Sequence, residues 1–273
     1  MQNTAQTDLA AALAVHFHPL TCAESELPFA WRAEVTGSNG WTIDGALGVL
    51  KPAEADALAC YCASLAIRQA VARGLGRTEA LLILPVSAVC AASSQVTGEI
   101  VHTAKAQGLP IDRIIVEISG GARDCLESAE RLAEACTLDG LAIALGDFAA
   151  DRVGLNLLTR FKPRFARLDR GLVRTIGSSD SRRLIVESAL RLARSLGTTL
   201  VAPAAETQDE RDTLRRIGIA HAERSTALWP LPSAVAPRRA PRTIPIGTQR
   251  DASIVRRAAP AGSFATFEAL VAA

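Results

Sequence analysis

Aromatic side chains are scarce in this sequence, 4% of its residues beside an apolar fraction of 49%. A core without many large rings must be built from Ala, Leu, Val and Ile, as in helix-rich α/β proteins. Any C-x-x-C pair is also missing. Cys22, Cys60, Cys62, Cys90, Cys125 and Cys136 are scattered, and a chain of this length folds without staples, so reduced and mostly buried thiols are expected. Cys60 and Cys62 fall on a helical pattern, where residues two apart diverge around the axis and share no ligand. No apolar run approaches the roughly 18 residues that a membrane span needs. The apolar stretch at residues 9–17 has no basic residue before it and adjoins Asp8, the wrong flank for a signal peptide. A soluble, cytoplasmic protein is the expectation. Gly74-x-Gly76 lacks the third glycine and the preceding strand of a dinucleotide fingerprint and reads as a helix stop.

Strong net charge is absent as well, at +2 for the chain, which points to no general class of partner. The figure conceals an asymmetry. Residues 236–273 carry six arginines against Asp251 and Glu268, leaving about −2 for the rest. Six arginines without interleaved aromatics are a weak signal for nucleic acid, and a solvated tail is expected.

What is present is alternation. From about residue 45 to residue 232, helical periods exchange with short β-rich runs, the pattern of repeated β/α units closing a parallel sheet or barrel. A helical pattern over 53–74 stops at Gly74 and precedes a strand over 80–84. A helix over 93–107, a strand over 113–118 and a helix over 122–136 follow. The run Leu141-Ala-Ile-Ala-Leu-Gly-Asp147-Phe148 and the run Arg164-Phe-Ala-Arg-Leu-Asp169 both end on a carboxylate just past a strand, where β/α folds place their chemistry. An Asp there also simply caps the next helix. A helix over 181–196 ends at Gly197 and leads to a strand over 199–202. Thr207-Gln-Asp-Glu210 is a capping box. Beyond residue 232 the sequence turns to Pro and Arg without sustained period, so a barrel over 14–232 and a flexible tail over 233–273 are expected. Within that tail only residues 264–271 could form a short helix.

Read in order, these pieces resemble the EAL domain, the family of cyclic di-GMP phosphodiesterases. The stretch from Gly146 to Asp169, Gly-Asp-Phe-Ala-Ala-Asp-Arg-Val-Gly-Leu-Asn-Leu-Leu-Thr-Arg-Phe-Lys-Pro-Arg-Phe-Ala-Arg-Leu-Asp, keeps register with the family's D-D-F-G-x-G-Y-x-x-L-N-L-L-x-x-F-x-P-D-x-x-K-x-D over all 24 residues. Residues 108–120 resemble G-L-P-x-x-R-I-x-x-E-x-T-E, residues 192–218 resemble L-A-x-x-L-G-x-x-V-V-A-E-G-V-E-T followed by L-x-x-x-G, and His16-Phe-His-Pro-Leu20 resembles the opening F-Q-P-I strand. The resemblance implies a TIM-like (β/α)8 barrel with one irregular or antiparallel strand. It further implies an active site at the strand ends where two divalent metals bind a cyclic dinucleotide, activate a water and usually accompany a homodimer.

The departures carry more information than the matches. Laid on F-A-Y-E-A-L-V-R-G, residues 29–37 put Arg32 at the signature Glu. The next strand's Asn falls on Leu82 or Pro85, and the metal-binding Glu is kept as Glu117. The D-D pair becomes Gly146 and Asp147. The Lys near the water becomes Arg167, with Asp169 kept. The Glu of V-A-E-G becomes Pro203, Glu206 matches the V-E-T, and the late Gln becomes Glu223. Arg is permanently charged and ligates no cation. Held about 6 Å from a divalent ion it would cost about 5 kcal/mol at an effective dielectric of about 20, weakening metal binding on the order of thousands-fold.

Two readings of the surviving acids remain: Glu117, Asp147 and Asp169 hold one metal, or they pair with Arg32 and Arg167, and the second is expected because it neutralises buried acids without metal. His16 and His18 read as a strand pair rather than metal ligands. The expected function is thus a catalytically inactive EAL-like protein, without cofactor, that binds another protein in cyclic di-GMP-related bacterial signalling. A metal-independent cyclic di-GMP receptor is the alternative, although the family's phosphate-facing Arg falls on Thr36 and the Gln of F-Q-P-I on His18. A residual phosphodiesterase would need Glu34 in the Glu role.

Overall fold

The structure is a computed structural model that describes residues 13–23, 25–37, 42–47, 50–90, 93–119, 125–150 and 152–224. The limit at residue 232, the tail over 233–273 and the short helix expected within it lie outside the described residues. So do positions 120–124, and the helix expected over 122–136 is described as Leu126–Leu138.

Eight strands form one closed barrel in sequence order: β1 (Leu13–Cys22), β2 (Ser25–Gly37), β3 (Leu81–Ser87), β4 (Ile114–Ser119), β5 (Ala142–Phe148), β6 (Phe165–Leu168), β7 (Thr199–Ala202) and β8 (His221–Glu223). The helices are α1 (Ile43–Leu47), α2 (Pro52–Ala72), α3 (Ser93–Ala106), α4 (Leu126–Leu138), α5 (Arg152–Phe161), α6 (Arg170–Val173), α7 (Asp180–Ser195) and α8 (Gln208–Ile217). The irregular strand is β1. It runs antiparallel to both β2 and β8, while β2 to β8 pair parallel throughout.

Local chemistry sets the element ends. Pro52 occupies the first turn of α2, where its missing N–H costs nothing. Gly74 then stops the chain at φ 98°, in the left-handed region. At α8 the capping box closes as the sequence predicts: Glu210 N donates to Thr207 Oγ1 at 3.2 Å, and Thr207 N donates to Glu210 Oε2 at 3.1 Å. The same carboxylate accepts from Thr175 N and Glu206 N, tying the loops after β6 and β7 together.

Alternation along the strands builds two apolar regions. Residues such as Trp31, Leu82, Leu84, Val116, Leu145 and Leu200 face outward and pack with the helices in the larger core. Their neighbours Leu20, Ala30, Leu81, Ile83, Ile115, Ala144, Phe165 and Val201 face inward and fill the lower barrel. Cys62, Cys90 and Cys136 are buried, and Cys22, Cys60 and Cys125 partly so. Among the described residues, no helix is long and apolar enough to cross a membrane.

Candidate functional site

The inward face continues upward from the apolar layer in steps of two residues, because side chains on a strand alternate. Above Ala30 comes Arg32, above Ile115 comes Glu117, above Phe165 comes Arg167, and above His221 comes Glu223. All four belong to strands whose carboxyl ends open at the same mouth.

There they interlock. Arg32 Nε donates to Glu117 Oε1 at 2.9 Å. Arg167 donates through Nε to Glu117 Oε2 at 3.2 Å and through Nη2 to Glu117 Oε1 at 3.3 Å. The same Nη2 reaches Asp147 Oδ1 at 3.3 Å. Glu117 is 2% exposed, so its charge is tolerable only because two guanidiniums clasp it. Burial pushes its pKa up, but Arg167 and Arg32 outweigh burial and hold it below the usual carboxylate range. Burial likewise works against charge on Arg167, and Glu117, followed by Asp147 and Glu223, raises its pKa despite that.

A second pair stands beside the first. His18 Nε2 lies 2.7 Å from Glu34 Oε2, and His18 Nδ1 lies 3.7 Å from Glu223 Oε1. The His18 hydrogen bond is the main reason that the Glu34 carboxyl is held down at about 2. In the β1–β2 hairpin His18 opposes Arg32 and His16 opposes Glu34, so His18 and Glu34 meet diagonally, within reach for long side chains.

The model of the EAL domain matches residues 3–223 of this sequence. The chain belongs to the EAL domain family. Among curated proteins, this EAL domain is 26% identical over 207 residues to the blue light- and temperature-regulated antirepressor BluF of Escherichia coli, covering 74% of this chain and 50% of BluF. It is 28% identical over 111 residues to the probable cyclic di-GMP phosphodiesterase PdeD of the same organism, covering 40% of this chain and 20% of PdeD. The chain thus spans half the length or less of these two relatives. A standalone versatile EAL protein of Vibrio cholerae O395, solved in its c-di-GMP bound form, superposes with a TM-score of 0.67 at 22% identity, over 78% of this chain and 89% of that one. That likeness is one of fold.

The two divalent metals that the family implies do not fit the residues at this EAL mouth. Glu117 spends both oxygens on guanidiniums, and Arg32 and Arg167 put fixed positive charge where a cation would sit. Gly146 has no side chain, and a Cβ there would lie 3.3 Å from both Glu117 Oε1 and Ser119 Cβ, so the glycine leaves room for the clasped carboxylate. Of Leu82 and Pro85, the structure places Pro85 beside Glu117 in the β3–β4 register, while Leu82 is buried in the outer core. Neither proline at the mouth, Pro85 or Pro203, offers a side-chain ligand. Among the described residues no three of His, Cys, Asp and Glu converge as ligands for a metal.

Two residues expected with the cluster stand apart from it. Asp169 makes no ion pair among the described residues. β6 ends at Leu168, and Asp169 already begins the turn into α6, its carboxylate curled over Gly171, where a Cβ would lie 2.7 Å from Asp169 Oδ1. Glu206 is exposed and pairs with Arg174 at 3.4 Å. Conversely, Glu34 belongs to the mouth without touching Glu117. The signal that could have placed it is the period of two from Arg32.

The loop after β5 is held in unusual backbone. Asp147 has φ 48° and Ala149 φ 71°, left-handed values that Asp tolerates and Ala does not. The Ala149-Ala150 pair stands where the family's pattern is glycine-rich.

Proposed function

We propose that this EAL barrel is catalytically inactive and acts as a regulatory protein-interaction module in cyclic di-GMP-related bacterial signalling, working in the cytoplasm. The observation that carries this reading is the clasp of Glu117 between Arg32 and Arg167. The carboxylate best placed to ligate a metal is neutralised by two side chains that can neither bind a cation nor give up a proton near neutral pH. The resemblance to BluF, named as an antirepressor, supports a role exercised on another protein.

A receptor for the free nucleotide is less well supported. The linked cluster sets two guanidiniums and His18 against four carboxylates, Glu34, Glu117, Asp147 and Glu223, so both arginines are already paired with acids and a phosphodiester would have to compete with carboxylates for them.

Titration calorimetry with cyclic di-GMP, with and without magnesium or manganese, tests the proposal together with a hydrolysis assay. Neither binding nor linear product is expected. Metal-independent binding would replace the proposal with a receptor, and manganese-dependent hydrolysis would overturn it.

A further inference from the structure

Helix α7 packs on β7 and buries Val186, Ala189, Leu190 and Ala193. The opposite face of a helix that covers a barrel is ordinarily polar. That of α7 is not. Six large apolar side chains are exposed among the described residues, and four of them stand here: Leu184, Ile185, Leu192 and Leu196, between 38% and 62% exposed. At 100° per residue these four form one outward stripe along the helix.

The stripe has the relief of a helix-packing surface. Ser181, Ser188 and Ser195 recur along it at every seventh position and are exposed, so small residues alternate with large ones as holes between knobs. Ser188 and Ser195 donate their hydroxyls to carbonyls four residues back, Leu184 O at 2.8 Å and Arg191 O at 2.9 Å. A partner that covers them therefore strands no donor. A lipid surface has no relief to match, and the serines interrupt the continuous apolar face that insertion uses. Charge narrows the partner further. Arg191 and Arg194 fall along one edge of the stripe with Glu187, and Arg182 falls along the other. Among the described residues none of these three arginines has an acidic partner: Arg182 donates to Arg174 O and Thr175 Oγ1, Arg191 to Ser188 Oγ, and Arg194 to Gly218 O. The surroundings carry the same sign. Residues 151–224, which supply α5 to α8, hold 15 Lys and Arg against nine Asp and Glu, whereas residues 1–150 hold nine against 17. Two copies meeting stripe to stripe would set arginines against arginines, so a second copy is the wrong occupant.

We infer that the outward stripe of α7 binds an acidic amphipathic helix of another protein, with apolar side chains in the serine gaps and carboxylates on Arg182, Arg191 and Arg194. The inference rests on the proposed function, which makes this barrel a protein-interaction module, and supplies the surface and the chemistry of the partner.

The probe is a fluorescent helical peptide of about five turns, with leucines along one face and glutamates along both edges. A control peptide has lysine at every glutamate. Anisotropy titrations with the full chain are expected to show saturable binding of the acidic peptide and binding at least about tenfold weaker for the basic one. Leu184→Asp/Leu192→Asp is expected to weaken the acidic peptide about tenfold or more, and Arg191→Glu/Arg194→Glu to reverse the preference between the two peptides. All four positions are exposed, so an unchanged Tm shows that each variant remains folded. No binding of the acidic peptide overturns the inference, as does binding that the leucine variant retains. In that second case the partner surface lies elsewhere and the protein-interaction reading stands; the inactive-barrel reading is decided separately, by the cyclic di-GMP titration and the hydrolysis assay. Retention on phosphatidylserine vesicles that the leucine variant loses would assign the stripe to a membrane, and self-association lost in the same variant would assign it to a second copy. Either result overturns the inference.

Discussion

Ile115 and Glu117 lie two residues apart on one strand and face the same interior, yet Ile115 meets hydrocarbon and Glu117 meets two guanidiniums. The lower layer uses the cheapest solution for a barrel interior, interdigitated aliphatic side chains that need no partner of particular geometry. The upper layer buries charge, which is tolerable only as a complete set. Packing errors below can relax over many neighbours, whereas loss of one member above strands the others.

The sharpest way to break this contrast is Glu117→Ala, which strips Arg32 of the carboxylate it bonds and leaves Arg167 with only the partly exposed Asp147. A loss of about 4 kcal/mol is expected in denaturant unfolding, against about 3 kcal/mol for Ile115→Ala, the cavity cost of the layer below. A Glu117 variant as tolerant as a surface change would mean that the clasp is open in solution.

Replacing the whole set should do the opposite. The triple substitution Arg32→Met, Glu117→Leu and Arg167→Met extends the aliphatic layer upward and is expected to be neutral or stabilising by up to about 2 kcal/mol. A strongly destabilised triple variant would show that the two layers differ in shape as well as charge.

Ala149→Gly probes the loop above them. Relief of the left-handed backbone at φ 71° should add about 1 kcal/mol of stability, visible as a rise in Tm.

The smallest effect concerns acid. Because His18 lowers the Glu34 carboxyl from 4.5 to about 2, Glu34 contributes stability that is present above about pH 4.5 and lost as the pH falls toward about 2. Glu34→Gln should therefore narrow the difference in unfolding midpoint between pH 6 and pH 3. Glu34 is half-exposed, so the change is under about 1 kcal/mol, and an unaltered acid limb would assign the sensitivity to Glu117, whose shift has the same sign.

Much of the fold was legible in the sequence because its signals are local. The capping box at Thr207 and Glu210, the glycine stops at Gly74 and Gly197 and the apolar runs of β3, β5 and β7 all act within a few residues. The match of residues 29–37 to the family's pattern left the register around Arg32 open, and it is the barrel that brings Arg32 to Glu117. The His18–Glu34 pair was not legible, since it depends on β1 turning back on β2 and opposing it with a particular offset. Asp169 does fall just past its strand, as the sequence implied, but that spacing could not tell whether its carboxylate turns to the arginines or back over the following turn.

The sequence by itself determined which chemistry is possible at the strand ends: two arginines that never lose their charge, one glutamate able to meet both, and glycine and prolines where ligands would be needed. Only the tertiary structure decided who pairs with whom. Closing the barrel sets Arg32, Glu117 and Arg167 from three separate strands within hydrogen-bonding distance, leaves Asp169 and Glu206 outside, and brings His18 to Glu34. Such pairings follow from strand order, register and closure, which are properties of the whole sheet, and ion pairs across a barrel form or fail over distances of a few ångströms that no local sequence signal fixes.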